Sequence, residues 1–459
     1  MHVKVHEKGD PNVPRRAELR FGFRDVSREP GVCLNWPANG ADTKPDLRLR
    51  FADESLGQPS ADGTSIETSG LVKEVDLIIE SYDFGAWGTL RISGTDKDKK
   101  PVTVKVMGKG TPDLTIPLDD DGNRIADAWE PGTAGGKPAD SDDEHQEGNS
   151  HDGDGLTLYE EYRGFVENGD RIQGNPTKKD FFVLNLIGKQ ADGGLNLFRD
   201  ATQLNVHSKF TPEELIVHSR VINRYSSTGF QQHGVILARY ENPAADPGYS
   251  QAVGGPGPPG KVSRVLISDE NIARPKAIPG TAYTDADWEV AHELAHACNV
   301  KHHGEKDPEV MIYRSKSKLA ATERSKEHPG GKGVDVQLLT EDGQNFDFGG
   351  NKEIEVWLAK EGGQHSGDEQ CLMRYHKELA AYETPADYGE GSLPVRYLVI
   401  DQPLGTRMCS GKLGASFNGA QHEVTKYGGR TVTRPRWGDA AEGACFTQIN
   451  VSDRAGGAH

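Results

Sequence analysis

Over roughly its first hundred residues the chain alternates apolar and polar side chains in short runs. DLRLRF (46–51), EVDLIIES (74–81), TLRISG (89–94) and VTVKVM (102–107) fit the two-residue period of a strand with one buried face. Clusters of Gly, Pro, Asp and Ser separate them, which predicts a small antiparallel sandwich. From about residue 178 the pattern changes. DFFVLNLIG (180–188), GVILARY (234–240) and VSRVLIS (262–268) read as strands. TPEELIVHSRVINRY (211–225) reads as a helix: Thr211 can cap it, Pro212 fits the first turn, and Glu214 completes a capping box. Strand, helix, strand suggests an α/β unit. A Pro/Gly-rich loop (241–261) lacks any apolar period.

Two acidic stretches lie between these regions, LDDDGNRIADAWE (118–130) and NSHDGDGLTLYEEY (149–162). The expected organisation is therefore multidomain. It comprises an Ig-like all-β sandwich (1–112), a small EF-hand-like calcium-binding segment (113–166), a larger α/β (α+β) domain (167–400), and a C-terminal β extension packed on it (401–459).

Bulk composition narrows the function. A length of 459 residues exceeds one ordinary domain, and a net charge of −17 argues against nucleic acid as the main partner. No apolar run reaches the roughly 18 residues of a membrane span. Five cysteines are too few for a disulfide scaffold but permit one or two bridges, of which Cys409–Cys445 is favoured. The opening MHVKVHEKGD lacks the profile of a secretion signal. A secreted or extracellular, calcium-rich setting is nevertheless expected.

The candidate chemistry is concentrated in HELAHACNVKHH (292–303), which holds four of the sixteen histidines. Thr284 or Asp285 can cap a helix there, with Trp288, Ala291, Ala295 and Cys298 as its apolar stripe. His292 and His296, four apart, project from one face and can grip one ion. Glu293 lies about 100° round the helix, within reach of a water at that ion but not placed as a ligand. A straight helix would carry His302 too far. Asn299 tolerates the left-handed backbone that reverses the chain, so His302 can return as the third nitrogen on a tetrahedral zinc. His303 reads as a polar neighbour.

This HExxHxxNxxH pattern resembles the HExxHxxGxxH motif of the metzincin clan of zinc metallopeptidases, with Asn299 in place of glycine. The resemblance implies a methionine-containing turn beneath the metal. CLMRY (371–375) supplies Met373 and Tyr375, and VMIY (310–313) supplies Met311 and Tyr313. Met373 is preferred, because Met311 follows His302 too closely for the chain to leave the site and return. A helix over 376–383 is then expected after the turn. The resemblance also implies that Tyr375 binds the metal or steadies an oxyanion.

The acidic stretches resemble EF-hand calcium loops, which offer oxygens from positions 1, 3, 5, 7, 9 and 12. The first gives Asp119, Asp121, Asn123, the Ile125 carbonyl, Asp127 and Glu130, with Arg124 where glycine is usual. The second gives Ser150, Asp152, Asp154, the Leu156 carbonyl and Glu161, with Gly155 at the sixth position. Structural calcium is expected to stiffen the joint between the sandwich and the catalytic unit.

The expected function is a zinc endopeptidase acting on a protein or peptide, with Glu293 as general base and VSRVLIS pairing with an extended substrate. Two alternatives stay open. One is a different zinc hydrolase, with a downstream Glu as third ligand. The other is a non-catalytic, calcium-stabilised adhesion or binding protein with a structural zinc site.

Overall fold

The computed structural model describes residues 1–7, 10–106, 110–130, 136–142, 153–216, 218–226, 228–240, 250–304, 367–368, 370–375, 404–409 and 443–454. Several strands between 311 and 435 are also described. The architecture is mixed α/β, with several sheets and few helices. No described helix is long and apolar enough to cross a membrane.

Two antiparallel sheets form the N-terminal sandwich. One orders Ser65–Glu67, Glu18–Val26, Gly88–Thr95 and Asp113–Ile116; the other orders His2–Lys4, Glu74–Ser81 and Leu47–Phe51. Their alternate residues Leu19, Phe21, Leu49, Phe51, Leu77 and Leu90 share one core. Residues 102–106 form no strand. Asp113–Ile116 takes the free edge of Gly88–Thr95, which leaves Val102 a single backbone bond to Gly94. Val102 and Val104 still pack on the core, which explains their strand-like pattern.

The second unit is built on a five-stranded sheet: Asn205–His207, Asp180–Asn185, Val235–Tyr240, Arg264–Ser268 and Gln251–Val253. The first four are parallel and the last is antiparallel at the edge. Helices Asp192–Thr202 and Asp285–His296 cover one face through Leu195, Phe198, Val290 and Leu294. Gly193 and Gly194 let these helices approach. A Cβ on Gly194 would stand 2.4 Å from the Val290 Cβ, and one on Gly193 would stand 2.2 Å from the Asp287 carboxylate.

Residues 211–216 and 218–225 form a series of turns rather than the helix expected over 211–225. The capping contacts between Thr211 and Glu214 do form. However, Glu214 also accepts from the amides of Asn168 and Gly169, and Arg220 takes φ 56, so the chain turns away. The helix expected over 376–383 is likewise not formed in its described part, 377–381. Lys377–Ala381 is a strand paired with Arg396–Asp401 in a second five-stranded sheet; cross-strand pairing overrides local propensity here.

Two features bind the parts together. Arg163, 1% exposed, reaches the Asp83 carboxylate at 2.6 Å, the Pro30 carbonyl at 2.7 Å and the Tyr225 carbonyl at 2.8 Å. The far end of the chain enters the core beneath the helices Asp192–Thr202 and Asp285–His296 as well. Cys445, Ile449 and Val451 are buried, and the Asn450 amide donates to the Cys298 carbonyl.

Candidate metal centres

The helix Asp285–His296 begins with a full capping box: the Asp287 amide donates to Thr284 Oγ1, and the Thr284 amide donates to the Asp287 carboxylate. Trp288 stacks on the His292 ring, with centroids 4.6 Å apart. After the helix Asn299 takes φ 67, its amide donates to the His296 carbonyl, and the Val300 amide returns to Ala295. This is the left-handed reversal that asparagine tolerates better than most residues. It carries His302 back so that its Nε2 lies 3.1 Å from the Nε2 of His292 and 3.1 Å from that of His296.

The tautomers follow from the partners. His292 Nδ1 donates to the Leu372 carbonyl at 2.9 Å, and His296 Nδ1 donates to the Val300 carbonyl at 2.7 Å. Both Nε2 atoms therefore offer lone pairs to the same point. One N–H on His302 can satisfy only one of them, whereas a shared cation satisfies all three. Zinc–nitrogen bonds of about 2.0–2.1 Å in a tetrahedron give nitrogen–nitrogen edges of about 3.3–3.4 Å, close to what is seen. Burial, reinforced by the neighbouring imidazoles, holds His292 well below the usual histidine range and His302 down to about 3. Burial lowers His296 as well. The trio is thus neutral at ordinary pH, the form that binds metals.

Glu293 stands on the wall of the same cleft, which has a volume of about 660 Å³. Burial raises its carboxyl to about 7, against the Ala252 backbone hydrogen bond and with help from Glu289. A dication nearby would draw it back toward the ionised form. Tyr375 lines the cleft with its ring centroid 4.8 Å from that of His302. Met373 is fully buried in the core cluster that contains Leu294 and Ala295. Met311 instead opens the strand Met311–Ser315. The strand expected to meet a substrate, Arg264–Ser268, has partners on both sides. The edge at the cleft is Gln251–Val253, which lies in a region the sequence presents as featureless loop.

Behind the cleft lies a second group. His303, Cys371, Cys409 and Cys445 place one ligand atom each within 4.8 Å of one another, all buried. The favoured disulfide is absent: none of the five cysteines is disulfide-bonded, and the Sγ atoms of Cys409 and Cys445 stand 3.5 Å apart. Cys298 shares the surrounding core but not the group. Sequence reading missed this arrangement because its members lie far apart in the chain. The only signals were a second histidine beside His302 and three cysteines after residue 370.

A third group joins Asp154, Glu161 and Asp180, all fully buried. Asp154 and Glu161 belong to the second acidic loop; Asp180, the first residue of the strand Asp180–Asn185, was not foreseen. The Asp154 carboxylate accepts from the amides of Leu156 and Asp180, and Gly155 takes φ 94. Ser150 and Asp152 lie outside the described residues. The first loop uses its side chains to close itself. Asp119 accepts from the Gly122 and Arg124 amides, Asp121 from Asn123, and Asp127 from Asp120. Asn123 donates to Glu130 at 2.6 Å, and the Ile125 amide donates to Asn123. Arg124, at the glycine position, does adopt φ 73. Among the described residues these first-loop carboxylates do not gather as closely as the other three groups.

The described residues thus hold buried His, Cys, Asp and Glu groups able to bind metal ions. Comparison with known proteins gives no match to any family model, curated protein or solved structure.

Proposed function

We propose that the chain is a zinc-dependent endopeptidase of metzincin type, secreted and stiffened by calcium at Asp154, Glu161 and Asp180. The observation that carries this reading is the convergence of three neutral imidazole nitrogens beside a carboxylate in an open cleft. Three protein ligands leave the fourth position free, the arrangement of catalytic rather than structural zinc. Bound there, zinc would acidify a water molecule and polarise a carbonyl. Glu293 accepts the proton of the attacking water and passes it to the leaving amine. The Tyr375 hydroxyl donates to the oxygen that becomes negative at the scissile carbon. An extended peptide runs along the strand Gln251–Val253, which lines the cleft, and is thereby held across it.

Two features favour this over the alternatives. His302 takes the third-ligand place that a downstream Glu would fill in another zinc hydrolase. Glu293 beside the metal point has no use in a purely structural site. Cleavage of casein or gelatin tests the reading. Activity is expected with zinc, lost on chelation and restored by zinc. Glu293→Gln should keep its metal and lose about 10²–10⁴-fold in rate. Zinc-loaded protein that cleaves no peptide or protein would contradict the proposal and leave a binding module.

A further inference from the structure

The group behind the cleft is a closed site of different chemistry. Cys445 Sγ lies 3.6 Å from Cys371 Sγ and 3.5 Å from Cys409 Sγ, and Cys409 Sγ lies 3.2 Å from His303 Nε2. A tetrahedral zinc with bonds of about 2.3 Å to sulfur and 2.0–2.1 Å to nitrogen would give edges of about 3.8 Å and 3.5 Å. The observed spacings lie slightly inside these values, and none is a disulfide. His303, Cys371 and Cys445 are 0% exposed and Cys409 is 2% exposed. Thiols are weak hydrogen-bonding groups, so three of them crowded round one imidazole gain little from one another. A soft divalent cation would use all four.

We infer that His303, Cys371, Cys409 and Cys445 form a structural zinc site that clamps the Met373 turn beneath the catalytic centre. The site has four protein ligands and no open position, which suits a structural rather than a catalytic ion. Its ligands come from the loop after the active-site helix, from the turn, and from two later segments. His302 and His303 are consecutive, so one loop serves both centres. Cys371 immediately precedes Leu372, whose carbonyl fixes the His292 tautomer, and Met373 follows. The Leu372 amide is bound in turn by the Arg407 carbonyl, two residues before Cys409. The clamp therefore acts on the first centre through the partner of a metal-binding imidazole, a class of contact whose loss costs about 10–100-fold in metal affinity. It does not depend on whether the cleft hydrolyses peptides.

The test uses the full chain reconstituted with cobalt(II). The expected result is an intense near-ultraviolet thiolate-to-cobalt charge-transfer band, which an all-histidine site cannot give. In Cys409→Ala the band should vanish, one equivalent of metal should be lost, and zinc affinity at the three-imidazole site should fall about 10–100-fold. Unchanged affinity there would overturn the clamp. If Cys409→Ala does not fold, mercurial titration of the native chain decides. Release of one metal equivalent as thiols are consumed supports the site. Absence of the thiolate band, or a disulfide between any two of the three cysteines found by alkylation mapping, overturns it.

Discussion

His292 donates from Nδ1 to the carbonyl oxygen of Leu372 over 2.9 Å, joining two segments eighty residues apart. This bond leaves Nε2 as the lone-pair atom and sets the ring's orientation. Met373, next in the chain, is fully buried against the same helix. Met373→Ala should cost about 2–5 kcal/mol through the cavity it leaves. Met373→Leu, of similar volume, should cost less than about 1.5 kcal/mol. Chemical denaturation measures both, and an alanine variant as stable as the native chain would deny the turn this supporting role.

Asn299 sits at φ 67 where the chain reverses toward His302. Asn299→Gly should be tolerated, since glycine enters this region freely. Asn299→Val should cost about 1–2 kcal/mol and weaken zinc binding. Equal stability and metal affinity in the two variants would show that the reversal is not constrained there.

Acid should empty the centre. An imidazole whose folded pKa lies below its unfolded value contributes stability above that unfolded value and loses it as pH falls. For this trio the window runs from 6.5 down to about 3, the value to which burial takes His302. Protons also compete with the metal over the same range. Metal content and melting temperature should therefore fall together below about pH 6.5. Retention of both at pH 4 would contradict the assignment.

Arg163 and Asp83 are both 1% exposed at the side chain and 2.6 Å apart. Arg163→Ala leaves a carboxylate buried without its partner and should cost about 3–5 kcal/mol. Adding Asp83→Asn should recover part of this loss, which a double-mutant cycle measures. Additive losses would show that the pair is not coupled.

The sequence made the helix Asp285–His296 legible because its histidine spacing, capping residues and Asn299 all point to one geometry. Three of the four parallel strands were equally plain, since they are continuous apolar runs; Asn205–His207 was missed because its three residues carry no such run. Helix Asp192–Thr202 was hidden by Gly193 and Gly194, which weaken helix propensity yet permit the close approach to Val290. Residues 211–225 misled for the opposite reason. Their capping signals are real, but Glu214 serves a neighbouring turn. The edge strand Gln251–Val253 has no period of its own and exists through pairing with Arg264–Ser268. Asp180 and the cysteine group depend on contacts across long stretches of chain, which no local pattern encodes.

The central claim is tested most directly by anomalous X-ray scattering at the zinc absorption edge from crystals of the native protein. The account predicts a peak within about 2.0–2.1 Å of the Nε2 atoms of His292, His296 and His302. No peak there, with the His302 ring turned away from the other two, would contradict it.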